Sequence, residues 1–178
     1  MKCPKCRTED LGPTKLEENL PAMGCTGCDG ALISLLYYRD WAERTTLPSE
    51  IVVSELSVVE EKDTKVALTC PKCTRLMTKY GIASEVGNRL DVCASCDEAW
   101  IDDGEWTLLK SLALSKDLSA IFTTAWQKRI KAENTERQRY ERLESAVGTE
   151  DAERAHEVRV WLHNKPSKPT IIQYIGFE

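Results

Sequence analysis

Apolar residues come in short bursts over the first two thirds of the chain and at helical spacing over the last third. The most apolar burst is 31–41, Ala-Leu-Ile-Ser-Leu-Leu-Tyr-Tyr-Arg-Asp-Trp, where Leu32, Leu35, Leu36 and Tyr38 or Arg39 fit one helical face. Pro48 ends that segment. Residues 51–53 and 65–69 read as short strands, with Val58 and Val59 leading into a charged turn at 60–63. Further on, Asp102 suits a helix N-cap, Glu105 stands where a capping box needs it, and Ile101 and Trp106 take the hydrophobic-staple positions. That helix runs on through Leu108, Leu109 and Leu112.

From about 116 to 147 the chain has no proline or glycine, and Leu118, Ile121, Phe122, Ala125, Trp126 and Ile130 recur at helical spacing. The stripe thins over 131–142 and resumes at Tyr140, Leu143 and Val147. Gly148 suits a helix end, and a second helix follows to His163 with Ala152, Ala155, Val158 and Leu162 inward. A helical hairpin is the simplest reading; a dimerising coiled coil competes, but the heptad is short and broken. The last segment, 165–178, holds Pro166 and Pro169 and then Ile171, Ile172, Tyr174, Ile175 and Phe177, an extended apolar tail that docks on its own chain or is offered to a partner by strand addition.

All 8 cysteines fall into Cys-x-x-Cys pairs: Cys3 with Cys6, Cys25 with Cys28, Cys70 with Cys73, and Cys93 with Cys96. The gap is 18 residues within the first set of pairs and 19 within the second. That is the spacing of a zinc ribbon, in which two bends each supply two thiolates to one tetrahedral metal. Two zinc ions per chain follow, although four thiolates suit iron as well. Cys28-Asp-Gly-Ala-Leu-Ile and Cys96-Asp-Glu-Ala-Trp-Ile also match, 68 residues apart, and a tryptophan follows each, Trp41 and Trp106. The pattern is that of a duplicated module. Each copy is too small to fold on apolar burial alone, so metal must supply much of the folding free energy, about 10–16 kcal/mol in apparent terms.

The second copy carries Cys70-Pro-Lys-Cys73, then Cys93-x-x-Cys96-x-x-x-Trp100-Ile101-Asp102-x-Gly104-Glu105. This segment, about a quarter of the chain, resembles the bacterial zinc-ribbon family named after the ribbon of the transcription factor TFIIB. The resemblance implies a structural four-cysteine zinc site at Cys70, Cys73, Cys93 and Cys96 and implies no reaction. Glu98 and Ala99 stand where that family usually has glycines. The first copy keeps the ligands and loses the Asp-x-Gly-Glu signature.

The predicted fold is therefore α+β and metal-stabilised, with tandem zinc ribbons of short antiparallel strands. A zinc ribbon with trailing helix spans 1–47, an ordered linker 48–69, a second ribbon with capped helix 70–115, a helical hairpin 116–164 and the tail 165–178. Composition narrows function more than it defines it. With 24 basic and 29 acidic residues the net charge is −5, which opposes general nucleic-acid binding. No apolar run is long enough to cross a membrane, and the N-terminus enters Cys3 without a signal region, so a reducing cytoplasm is expected. Asp102, Asp103 and Glu105 read as a helix cap, and His156 and His163 stand without a ligand cluster. Both four-cysteine sites look closed, which opposes an enzyme. The expectation is a non-enzymatic adaptor or regulator that contacts an unidentified protein partner through Leu36, Tyr37, Tyr38, Trp41, Ile172, Tyr174 and Phe177. The alternative is a nucleic-acid-binding protein using the stripe Lys128, Arg129, Lys131, Arg137, Arg139 and Arg142, diluted by Glu133, Glu136 and Glu141.

Overall fold

Strands buried at successive positions are strands covered on both faces, and the chain has two of them at its centre. β3 (Ala31–Ser34) and β6 (Glu98–Ile101) are buried at nearly every position and pair with each other antiparallel. They join two three-stranded halves. The first contains β1 (Gly12–Glu17) and β2 (Leu20–Gly24), the second β4 (Thr78–Gly81) and β5 (Arg89–Cys93), and the whole is one antiparallel sheet in the order β1-β2-β3-β6-β5-β4. The computed structural model describes residues 1–45 and 66–176. The expected strand at 51–53, Val58 and Val59 with the turn at 60–63, Pro48 and Phe177 lie outside the described residues. Of the expected strand at 65–69, the described residues 66–69 form a single bridge, between Thr69 and Leu76.

Ala31 pairs with Ile101, Leu32 with Trp100 and Ile33 with Ala99. Under the 68-residue equivalence, Leu32 therefore faces its own counterpart, and its two neighbours exchange partners. The junction is self-complementary about that central pair, as in an isologous interface.

Alternation along the strands sends Ile33, Ala99 and Ile101 to one face and Leu32 and Trp100 to the other. The first face packs against helices α1 (Leu35–Arg44), α2 (Glu105–Ser111) and α3 (Leu118–Ile121), with Tyr38, Trp41, Trp106, Leu109, Leu118 and Ile121 in its core. The helix expected to hold Leu32 begins only at Leu35, because 31–34 is needed as the central strand. Its buried stripe is Leu35, Tyr38 and Trp41. Trp41 and Trp106 meet edge to face at 5.7 Å. The Tyr38 hydroxyl donates to the Ser115 carbonyl at 3.0 Å and accepts from the Leu118 amide at 3.1 Å. The helix expected from 116 is thus broken into α3 and α4 (Thr124–Val147), with the Thr123 hydroxyl accepting from the Trp126 amide at 3.3 Å.

Residues 1–130 form one compact unit and 131–178 a second. In the second, Gly148 (φ 85°) separates α4 from α5 (Thr149–His163), its amide bonding the Glu144 carbonyl at 2.8 Å. Tyr140 meets His156 at 5.6 Å, and Glu136 pairs with Arg159, as expected of a helical hairpin. The tail is a correction: instead of extending, it forms α6 (Lys168–Ile175). Pro169 lies in the first turn, where its missing N–H costs nothing and its fixed φ favours a helix. Among the described residues no helix is long and apolar enough to cross a membrane.

Candidate metal centre

Four Cys-x-x-Cys bends are built alike. Each is followed by a non-glycine residue in left-handed conformation: Arg7 (φ 63°), Asp29 (φ 54°), Thr74 (φ 62°) and Asp97 (φ 55°). In three of the bends this residue returns its amide to the carbonyl of the first cysteine, Arg7 to Cys3 at 2.9 Å, Asp29 to Cys25 at 2.9 Å and Thr74 to Cys70 at 2.8 Å; in the fourth the Cys96 amide reaches the Cys93 carbonyl at 3.3 Å. Such a residue costs about 1–2 kcal/mol against an ordinary conformation. Its recurrence at all four bends marks the geometry as one the clusters require.

The bends bring Cys3, Cys6, Cys25 and Cys28 into one group and Cys70, Cys73, Cys93 and Cys96 into another, each with all Sγ atoms within 4.8 Å of one another. Among the described residues, these are the two sets that could hold a metal ion. Cys3 and Cys28 sulfurs are 3.7 Å apart, Cys6 and Cys25 3.9 Å, and Cys73 and Cys93 3.5 Å. A tetrahedron with metal–sulfur bonds of about 2.3 Å has edges of about 3.8 Å, so the donor sets fit a four-coordinate thiolate site. In each group the first cysteine of each pair is buried and the second half-buried.

Without a cation the thiols resist losing four protons together. Hydrogen bonding from the Arg75 amide lowers Cys73 to about 7. The neighbouring Cys73 thiol and burial hold Cys96 up to about 12, and burial pushes Cys28 and Cys70 up as well. Four thiolates need a cation, which displaces their protons on binding.

Charged side chains tie the bends down. Lys5, between Cys3 and Cys6, donates to Asp102 Oδ1 at 3.1 Å, and the Trp100 indole donates to the same oxygen at 2.8 Å. Burial works against the Lys5 ammonium, but the Asp102 carboxylate outweighs it and holds its pKa above the ordinary value. Lys72, the matching lysine, reaches Glu98 at 2.5 Å within its own half. Gly30 occupies the place of Glu98 in the first half, and Lys5 instead bonds across the junction. Arg39 of α1 clamps Asp97, beside Cys96, at 2.6 and 3.0 Å. Glu17 of β1 accepts from the Trp106 indole at 3.0 Å and from Lys110 at 2.9 Å.

The eight cysteines gather in the two groups of four that their spacing predicts. Sequence reasoning missed the network that crosses between the halves, whose only sequence trace is the paired lysines. The expected cap is corrected: α2 has left-handed Gly104 at its N-cap, and Asp102 spends its carboxylate on Trp100 and Lys5. The other half of the box survives, with Glu105 Oε2 accepting from the Asp102 amide at 2.7 Å. Of the expected partner surface, Tyr38 and Trp41 are core residues, whereas Leu36, Tyr37, Ile172 and Tyr174 are exposed. His156 and His163 line a shallow pocket of about 380 Å³ with Glu136, Arg159, Val160 and Asn164. Comparison with protein-family models, curated proteins and solved structures returns no match.

Proposed function

We propose that this chain is a non-enzymatic zinc protein that acts through protein–protein contacts as an adaptor or regulator in the cytoplasm. The observation that carries the reading is the pair of cysteine groups, each complete in four thiols. A closed site of this kind suits a structural metal, whereas a catalytic zinc keeps a position for water or substrate. In this reading each half is a zinc ribbon of the TFIIB type, the two derive from duplication of one module, and two zinc ions bind per chain. Each unit offers its own contact surface: Leu36 and Tyr37 on α1, 65% and 59% exposed, in the first, and Ile172 and Tyr174 on α6 in the second.

Metal analysis of the purified chain should return two zinc ions; iron in their place would overturn the metal assignment. For the adaptor role, proximity cross-linking in cells is compared between the wild type and the double variants Leu36→Glu/Tyr37→Glu and Ile172→Glu/Tyr174→Glu. The same protein should be lost from at least one variant whose melting curve is unchanged. Anisotropy titration with DNA and RNA supplies the opposing test. Binding that persists at near-physiological salt moves the chain to the nucleic-acid class.

A further inference from the structure

We propose that the two four-cysteine groups load metal as one cooperative unit, so that the 1–130 unit assembles steeply over a narrow range of free metal. This rests on the reading of both groups as metal sites. Both groups share one apolar layer: Cys3, Cys25, Cys70 and Cys93 belong to the same buried cluster as Leu11, Leu32, Leu68, Met77 and Trp100. At its centre is the self-complementary pair Leu32 and Trp100, 2% and 1% exposed, on the strands that leave Cys28 and Cys96.

Each group is also held by the opposite half. In the first, the Trp100 indole lies against Gly30, whose carbonyl accepts from the Cys25 amide at 2.9 Å, and Asp102 holds Lys5 between Cys3 and Cys6. In the second, Asp97 follows Cys96 directly; its carbonyl accepts from the Leu35 amide at 2.9 Å, and its carboxylate is clamped by Arg39. A half that loses its metal loses the bends that position these groups, and with them the cover of the other half. Metal at one site therefore prepays the ordering of the second, which is positive coupling between distinct sites.

The test is anaerobic titration of the reduced full chain with Zn²⁺, read by native mass spectrometry. Two equal, independent sites give about half of the chains with one metal at half-saturation, and tenfold coupling lowers that to about a quarter. We expect a quarter or less. A one-metal species at or above half overturns the coupling and leaves the metal reading intact; no uptake at all overturns the metal reading itself. A second measurement avoids dependence on a single curve. Cys73→Ser should weaken zinc binding at the intact first group by about tenfold or more. Unchanged affinity there would sink the proposal. Lys5→Gln with Arg39→Gln leaves every ligand in place and should raise the one-metal fraction relative to the wild type; an unaltered fraction counts against the contacts named.

Discussion

Gly30 is where the junction leaves least room. A Cβ there would lie 2.3 Å from Cζ2, 2.9 Å from Cε2 and 3.0 Å from Cη2 of Trp100. The ring has nowhere to go: Trp100 is 1% exposed, and its Nε1 is tied to Asp102 at 2.8 Å. Gly30 is not left-handed, so Gly30→Ala tests the clash alone. Relieving it requires a shift of about 1 Å in the indole or in β3, an overpacking strain of about 1–3 kcal/mol. For a chain of this size that corresponds to a fall in melting temperature of about 2–12 °C. The assay is thermal unfolding of the metal-loaded protein followed by tryptophan fluorescence, beside Trp100→Leu and the double variant. If Trp100 is the obstacle, the two single effects are less than additive, with an interaction of about 0.5–3 kcal/mol. A Gly30→Ala protein that melts within about 1 °C of the wild type, or a strictly additive cycle, refutes this account of the junction.

Thr74 is exposed, β-branched and left-handed, so Thr74→Gly should raise stability by about 0.5–1 kcal/mol in denaturant unfolding; a loss would show that its hydroxyl, 2.7 Å from the Cys73 carbonyl, matters more than its backbone. Gln127 bonds both backbone groups of Gly81, donating to the carbonyl at 2.9 Å and accepting from the amide at 3.0 Å, so Gln127→Ala should cost about 1–3 kcal/mol and increase light scattering on heating. Burial pushes the Tyr38 phenol up to about 12 from an ordinary 10.0. Between those values the unfolded chain ionises first, so the stability it contributes is complete below pH 10.0 and drains as pH rises toward 12. Tyr38→Phe should destabilise at neutral pH, flatten that alkaline decline and remove a phenol that ionises near pH 12 from an ultraviolet titration.

The two groups of four cysteines were legible because metal chemistry is local: a Cys-x-x-Cys bend and a hairpin-length gap specify one site wherever the rest of the chain goes. Helix α5 and the break at Gly148 were legible because period and turn residue agree. The junction was not. Ala31 to Ile33 reads as well on a helix as on a doubly covered strand, and only pairing with β6 decides between them. Asp102 satisfies the sequence rule for a cap, yet the buried indole of Trp100 and the ammonium of Lys5 compete for its carboxylate and win. Pro169 illustrates the converse error, since a proline taken as a bend is also the residue best tolerated in a first helical turn.

A lone three-stranded half would leave its third strand as an open edge, largely apolar on both faces, which is the kind of edge that aggregates. Here each such edge is consumed by the other, and the exposed edges move outward to β1 and β4. Both are blunted. β4 is stopped at Gly81 by Gln127, while β1 carries Pro13, which has no amide to donate, and the exposed Lys15. Strand addition is thus disfavoured at either end of the sheet, and α6 is helical rather than extended. A partner would engage side-chain surfaces instead. Leu36 and Tyr37 are well suited: they share a helix with Tyr38 and Trp41, whose burial fixes α1 on the sheet and holds the exposed pair rigidly outward.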